Sequence, residues 1–326
     1  MTEGPGTMAS RIRDARGPLT SSDIDVKIAW LYHVEGMTQE AIAGELHVSR
    51  IKVVRSLAAS IEQNVVVTTI NAVSSEHIAL ERQLEDRWGL ESAIVVPKPH
   101  DPRHTERYIG HAVANFLNTN MTDGMTLAVG GGATLYSSLG FMHRRDLKDA
   151  TVVGLVGSLP HSQWINPSIV ASSMATRLGV DSYQITAPVL VDSAELCQRL
   201  WDQPLLQEVR VRAKEADLAL LTVGEIAATA TVFNYGIVPA ETAEQLRTQQ
   251  AVANILCYFI DADGKLVDHE INSRIMALAP AEVAEIPRVV LAAGGCHKVE
   301  AIHAALKAVK TEVLVTDAQT ASDLMT

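Results

Sequence analysis

PRVVLAAGGCHKVEAIHAALKAVKTEVLVTD, residues 287–317, opens and closes on a short apolar run, with a glycine pair and a helical pattern between them. The runs over 287–295 and 311–317 are too short for helices and carry no polar alternation, so they read as strands buried on both faces. The pattern over 298–308 reads as a helix. Strand, helix and strand in this order make a crossover unit of a parallel sheet.

The same alternation extends back through the chain. Apolar runs at 92–97 (SAIVVP), 125–130 (MTLAVG), 151–157 (TVVGLVG), 182–188 (SYQITAP) and 217–224 (DLALLTVG) alternate with helical patterns near 105–118, after Thr134, at 168–178 and at 204–215. ILCYFID follows as one further run, and Asp263-Gly264 in DADGK predicts a single antiparallel hairpin. The fold class expected is α/β, a doubly wound and mostly parallel sheet.

In such sheets ligands bind beyond the carboxyl ends of strands, at helix starts. Two loops stand there. Gly130-Gly131-Gly132-Ala133-Thr134 follows the run ending at Val129, and Gly294-Gly295-Cys296-His297-Lys298 follows the run ending at Ala293. Glycine lets backbone N–H groups approach an anion or a hydroxyl array, and Thr134 and Lys298 add a hydroxyl and an ammonium. Neither loop is a dinucleotide fingerprint, because Leu135 stands where a third glycine belongs, and neither is a Walker loop. Tight strand-to-helix turns explain each loop alone; two in one domain favour binding.

A different pattern occupies the amino-terminal part. Residues 37–61, MTQEAIAGELHVSRIKVVRSLAASI, set two short amphipathic helices either side of a turn. Thr38 can cap a helix starting at Gln39, on which Ala41, Ile42 and Leu46 recur at helical spacing. Ser49 can cap the next, with Val53, Val54 and Leu57 as its apolar stripe and Arg50, Lys52 and Arg55 facing outward. Ile24, Ile28 and Leu31 mark a supporting helix from about Ser22 to Val34, ended by Gly36. His47 stands where such turns usually carry a left-handed glycine, a position histidine tolerates. This is a small all-α helix-turn-helix head with a basic face.

The basic face is not an echo of composition. The 326-residue chain has 27 Lys and Arg against 38 Asp and Glu, a net charge of −11. Residues 1–65 carry about −1 of this and the remainder −10, so contact with DNA phosphates is expected in the head alone. Domains are expected at 1–20 (a disordered tail), 21–65 (the helix-turn-helix) and 66–326 (effector binding and oligomerisation), with a strand over 65–73 and a helix over 76–88 at the junction. No apolar stretch approaches the roughly twenty residues that span a bilayer, and the first residues lack the apolar centre of a signal peptide. Cytoplasmic location and no membrane partner are expected. Cys197, Cys257 and Cys296, odd in number and set in or beside apolar runs, read as reduced thiols. His100, His104 and His111 span a loop without metal-ligand spacing; no metal and no cofactor are expected.

From about residue 23 to 325 the chain resembles the SorC and DeoR-like sugar-binding transcriptional regulators of bacteria. The resemblance is carried by MTQEAIAGELHVSRIKVVRSL (37–57), LAVGGGATL (127–135), NPSIVASSMATRLG (166–179), APVLVD (187–192), FIDADGKLVD (259–268) and the segment 292–325. It implies a sugar-binding body related to phosphosugar isomerases and deaminases, dimers or tetramers, and DNA binding controlled by a carbohydrate effector. Carried over by position, it implies effector contacts from Gly130, Gly131, Gly132, Thr134, Gly294, Gly295 and Lys298, with Asn166 and Gln184 in pocket-lining segments. QAVANIL (250–256) departs from the pattern: Ala253 and Asn254 stand where Gly and Asp are common, so a carboxylate is missing from the pocket and Asn254 takes its place. The stretch 251–272 is similar to regulators of sugar-alcohol use, such as erythritol repressors.

Two functions are weighed. The first is a regulator whose head contacts double-stranded operator DNA through Thr38, Gln39, Ser49, Arg50, Lys52 and Arg55, controlled by a sugar, a sugar alcohol or its phosphate. Self-association belongs to it, because coupling requires two subunit arrangements, and the segment 65–90 is a candidate interface. The second is a sugar-phosphate isomerase or deaminase-like enzyme, which needs a positioned base; Asp192, Glu225 and Asp317 are available, though none lies in a catalytic motif.

Overall fold

The computed structural model describes residues 21–63, 65–66, 75–159, 166–227, 230–239 and 241–326. The chain separates into two units, Met1–Thr68 and Thr69–Thr326. The tail over 1–20 lies outside the described residues, as does most of the strand expected over 65–73. Of that strand Val65 and Val66 are described, and they form a bend whose amides both donate back to the Ser60 carbonyl (2.8 and 3.0 Å).

Among its described residues the head unit holds three helices, α1 (Ser21–His33), α2 (Gln39–Glu45) and α3 (Arg50–Glu62). The Thr38 hydroxyl accepts from the Ala41 N–H and the Ser49 hydroxyl from the Lys52 N–H, both at 3.2 Å, so each expected cap is formed. Gly36 (φ +69°) ends the first helical segment, and His47 is left-handed (φ +54°) in the turn between α2 and α3. Ile28, Leu31, Ile42, Val53 and Leu57 form the core. Val54, expected in the apolar stripe, is instead exposed; it lies one residue, about 100°, around the helix from Val53, and Ser56 and Ser60 complete the buried side. Five side chains are a small core, so each matters. Ile42→Ala is expected to cost about 2–5 kcal/mol, and limited proteolysis should then cut within 21–63 while the body stays intact.

Among the described residues the body contains ten strands: β1 (Ser92–Val96), β2 (Thr126–Val129), β3 (Thr151–Gly154), β4 (Asp181–Tyr183), β5 (Leu218–Leu221), β6 (Val223–Glu225), β7 (Ala253–Ile255), β8 (Tyr258–Ile260), β9 (Val289–Ala292) and β10 (Val313–Asp317). Seven run parallel in the order β1-β10-β9-β5-β2-β3-β4. Alternate residues of each central strand enter opposite cores. Ala128, Ala219, Leu221, Val289, Leu291 and Leu314 pack on one side, and Leu127, Val129, Leu218, Leu220, Val290, Ala292, Val313 and Val315 on the other. This is why the strands read as continuous apolar runs. The helix Ser75–Trp88 turns Leu84 fully, and Leu80 partly, into the first of these cores, so those leucines of the expected interface segment are accounted for within one chain.

Two runs differ from expectation. DLALLTVG breaks after Leu221, and ILCYFID folds on itself at Leu256 (φ +51°) and Cys257 (φ +68°), positive at both central residues as a type I′ turn requires. The resulting β6-β7-β8 form a separate antiparallel sheet where only one hairpin was expected. The Asp-Gly turn is present as well: Gly264 (φ +77°) donates to the Asp261 carbonyl at 3.0 Å, and Ile260 bridges Leu266 antiparallel.

Candidate functional site

In the head, Thr38, Gln39 and Arg50 line one concave surface together with Tyr32, Met37 and Glu40. Arg50 approaches Glu40 at 4.0 Å, both side chains being largely exposed, while Lys52 pairs with Asp25 at 3.7 Å and Asp25 also accepts from the Ser56 hydroxyl. Arg55 is exposed on α3. Ser49 is committed as a helix cap, which leaves it a positioning part. The charge reading missed Ile51 and Val54, which sit exposed between the arginines and offer apolar contact of the kind that thymine methyl groups accept. Val54 lies roughly 100° around the helix from the centre of the side formed by Val53, Ser56, Leu57 and Ser60, and that position was the available signal.

In the body the chain proceeds from β2 to β3 and β4 on one side, and β5 lies on the other side of β2, leading to β9 and β10. The sheet therefore has its topological switch between β2 and β5, where loops leaving the carboxyl ends diverge. A cavity of about 440 Å³ opens there. Its walls come from the loop after β2 (Gly131, Gly132, Ala133, Thr134), the end of β5 with β6 (Thr222, Gly224, Glu225), the β7–β8 turn (Asn254, Leu256, Cys257) and the loop after β9 (His297, Lys298).

Close packing makes the glycines obligatory. Gly132 has φ +111°, and a Cβ there would stand 2.9 Å from the Thr222 hydroxyl oxygen, whose hydrogen goes to the Gly131 carbonyl at 2.8 Å. At Gly224 a Cβ would meet the Asn254 amide nitrogen at 2.6 Å, so Asn254 lies directly over β6. The amides of Gly131, Gly132, Ala133 and Thr134 donate to no acceptor among the described residues, as the first turn of a helix leaves them. They, the Thr134 hydroxyl, the Lys298 ammonium and the carboxylate of Glu225 can all reach a ligand. Burial among apolar neighbours pushes the Cys257 thiol up to about 12, which keeps it protonated and unreactive near neutrality.

Of the ten effector positions expected, the structure brings Gly131, Gly132, Thr134, Asn254 and Lys298 together at this cavity. The other five are corrected to supporting places. Gly130 continues the sheet, its N–H donating to the Leu220 carbonyl at 2.9 Å, and its lack of a side chain admits Leu256. Asn166 is buried as a helix cap: its oxygen accepts from the Ser168 hydroxyl (2.9 Å) and its nitrogen donates to the Leu159 carbonyl (2.7 Å). Gln184 donates to the Ser168 carbonyl at 3.2 Å. The second glycine loop closes on Asp317, whose carboxylate accepts from the Gly295 N–H (2.8 Å), the Thr320 hydroxyl (2.6 Å) and the amides of Gln319 and Thr320. Gly294 is glycine because a Cβ would lie 2.5 Å from that carboxylate. Sequence reasoning missed Glu225, Thr222, Thr231, His297 and the β7–β8 turn as residues lining this cavity; the end of the run DLALLTVG was itself the carboxyl end of a strand and marked the place. Among the described residues no group of three or more His, Cys, Asp or Glu could hold a metal, and no helix is long and apolar enough to cross a membrane.

The family model Sugar-bind, a sugar-binding domain, matches residues 73–326. Over 302 residues, 92% of this chain and 95% of the relative, the chain is 31% identical to the erythritol catabolism regulatory protein EryD of Brucella abortus (strain 2308). It is 32% identical over 310 residues, 93% of each chain, to the transcriptional regulator LsrR of Klebsiella pneumoniae. Among solved structures, a DeoR family transcriptional regulator from Listeria monocytogenes superposes with a TM-score of 0.71 at 27% identity, over 76% of this chain and 99% of that one. The full-length sorbitol operon regulator SorC from Klebsiella pneumoniae superposes with a TM-score of 0.70, over 94% and 100% of the two chains; at 24% identity it speaks for the fold alone.

Proposed function

Because the chain belongs to the sugar-binding-domain family of DeoR- and SorC-type transcriptional regulators, we propose that it binds duplex DNA through its helix-turn-helix and that a carbohydrate in the switch-point cavity controls that binding. The observation that carries the effector half is the joint presence there of four unpaired amides, Lys298 and a set of neutral polar groups. Its volume falls within the roughly 300–1,000 Å³ of small-molecule sites. Thr134, Thr222, Thr231 and Asn254 suit hydroxyl groups, the amides and Lys298 suit a phosphate or a hydroxyl array, and Glu225 accepts from hydroxyls.

The asparagine at 254 supports a neutral or singly phosphorylated polyol. It lies opposite Gly224 across the β6–β7 ladder and lines a cavity that already holds the carboxylates of Glu106 and Glu225, so an aspartate at 254 would add a further negative charge there. A role in regulation rather than catalysis is supported by the three carboxylates weighed as bases. Asp317 is fully engaged by the loop it holds, Asp192 is exposed and away from the cavity, and Glu225 alone lines it.

A thermal-shift screen with C4–C6 polyols, aldoses, ketoses and their monophosphates tests the reading. A ligand at one hundred times its Kd stabilises by about 2.7 kcal/mol, which for a body of this size raises the midpoint by roughly 5–10 °C. Members that do so should also change the DNA affinity of the full chain. A panel that moves neither quantity sinks the effector assignment.

A further inference from the structure

Helix α1 is apolar on two opposite sides. Ile28 and Leu31 enter the head core, while Val26 (50% exposed), Trp30 (57%) and Val34 (61%) follow one another at intervals of four on the outward ridge. Val34 lies just past the helix end and stays in register, its N–H donating to the Trp30 carbonyl at 2.9 Å. The indole N–H donates to a Glu35 carboxylate oxygen at 3.0 Å, which fixes the ring against the helix. A helix apolar on both sides needs a second cover.

DNA is not that cover. Tyr32, which shares the concave surface of Arg50 and Gln39, lies roughly 160° around α1 from Trp30, so the ridge faces away from that surface. The ridge is symmetric about its centre, with Val26 four residues before Trp30 and Val34 four after. That is the self-complementarity a two-fold interface demands. Antiparallel apposition sets Val26 of one copy against the partner's Val34 and Trp30 against the partner's Trp30, so the apolar side chains meet along the whole ridge.

We infer that the ridge Val26–Trp30–Val34 is the surface by which the heads of two copies of this chain pair, antiparallel and centred on Trp30. Three side chains exposed to this degree offer on the order of 300 Å² per copy, about 600 Å² between two copies. That is half or less of the 1,200 Å² or more of a stable interface. The contact is therefore weak alone, forms when two chains are already close, and orients the two basic helices as a pair.

Disulfide trapping in the full chain tests this, in a Cys296→Ser background that removes the exposed native thiol. Under mild oxidation Trp30→Cys should give a covalent dimer several-fold above an equally treated Glu45→Cys control, with peptide mass spectrometry placing the link between the two introduced thiols. Mixing Val26→Cys with Val34→Cys should give the mixed dimer in excess over either variant alone, the signature of antiparallel order. Circular dichroism melts check that these exposed replacements leave the fold intact. Links no more frequent than in the control, a bond within one chain from the thiol introduced by Trp30→Cys to Cys197 or Cys257, or equal yields from like and mixed pairs would each overturn the inference.

Discussion

Replacing Arg50 and Arg55 together with alanine lowers affinity for duplex DNA by about 30-fold or more, taking each arginine's hydrogen bonds to bases or phosphates at roughly 1–3 kcal/mol. Both side chains are exposed on α3, and neither contributes to the head core. The head should therefore keep its helical signal and its melting behaviour. The measurement is a gel shift on duplexes that the unaltered protein selects from a random pool, repeated over a range of salt, with the slope of log affinity against log salt falling by about one for each phosphate no longer neutralised. Glu40 provides the opposite sign. It approaches Arg50 at 4.0 Å in a contact open to solvent and competes with phosphate for that guanidinium, so Glu40→Ala should tighten binding a few-fold. Lys52 is held back by Asp25 and should contribute less than either arginine. Unchanged affinity in the double variant would remove α3 from the DNA contact.

How far the sequence could be read depended on whether a feature was local. The caps at Thr38 and Ser49, the left-handed His47 and the Asp-Gly turn each follow from a few neighbouring residues, and each is present as expected. The parallel sheet was legible because its strands are buried on both faces and so carry unbroken apolar runs. Leu256 and Cys257 defeat the same logic. Nothing in ILCYFID contains glycine, asparagine or aspartate at the point where φ turns positive, so the run reads as one strand and folds as two. Such strain in residues that line a cavity is typical of ligand sites, where the surrounding sheet holds an unfavourable backbone in place. The two glycine loops looked alike by composition and differ by a residue far away in sequence. Asp317 fills the second loop from 22 positions on, whereas no described residue fills the first.

Because the first loop stays open to a ligand, Gly132→Val should abolish the effector response and leave effector-free DNA binding in place. At φ +111° and ψ 163° the backbone occupies a region close to glycine-only, which costs another residue on the order of 1–3 kcal/mol. The new Cβ would also push Thr222 off the Gly131 carbonyl, so the loop must shift and its amides lose their shared aim. No residue of the head core is touched. In the thermal-shift assay the variant should show a lower but still cooperative midpoint that no longer rises with whichever panel member stabilises the unaltered protein. Lys298→Gln then separates the two effector chemistries. A charge-assisted hydrogen bond to a phosphate is worth about 1.5–3 kcal/mol, so a phosphorylated effector should lose roughly 10- to 150-fold in affinity. A neutral polyol, which meets the ammonium only as one donor among several, should change by a few-fold. A Gly132→Val protein that still responds in full would mean that the effector binds away from the switch point, and the cavity would then have no claim on it.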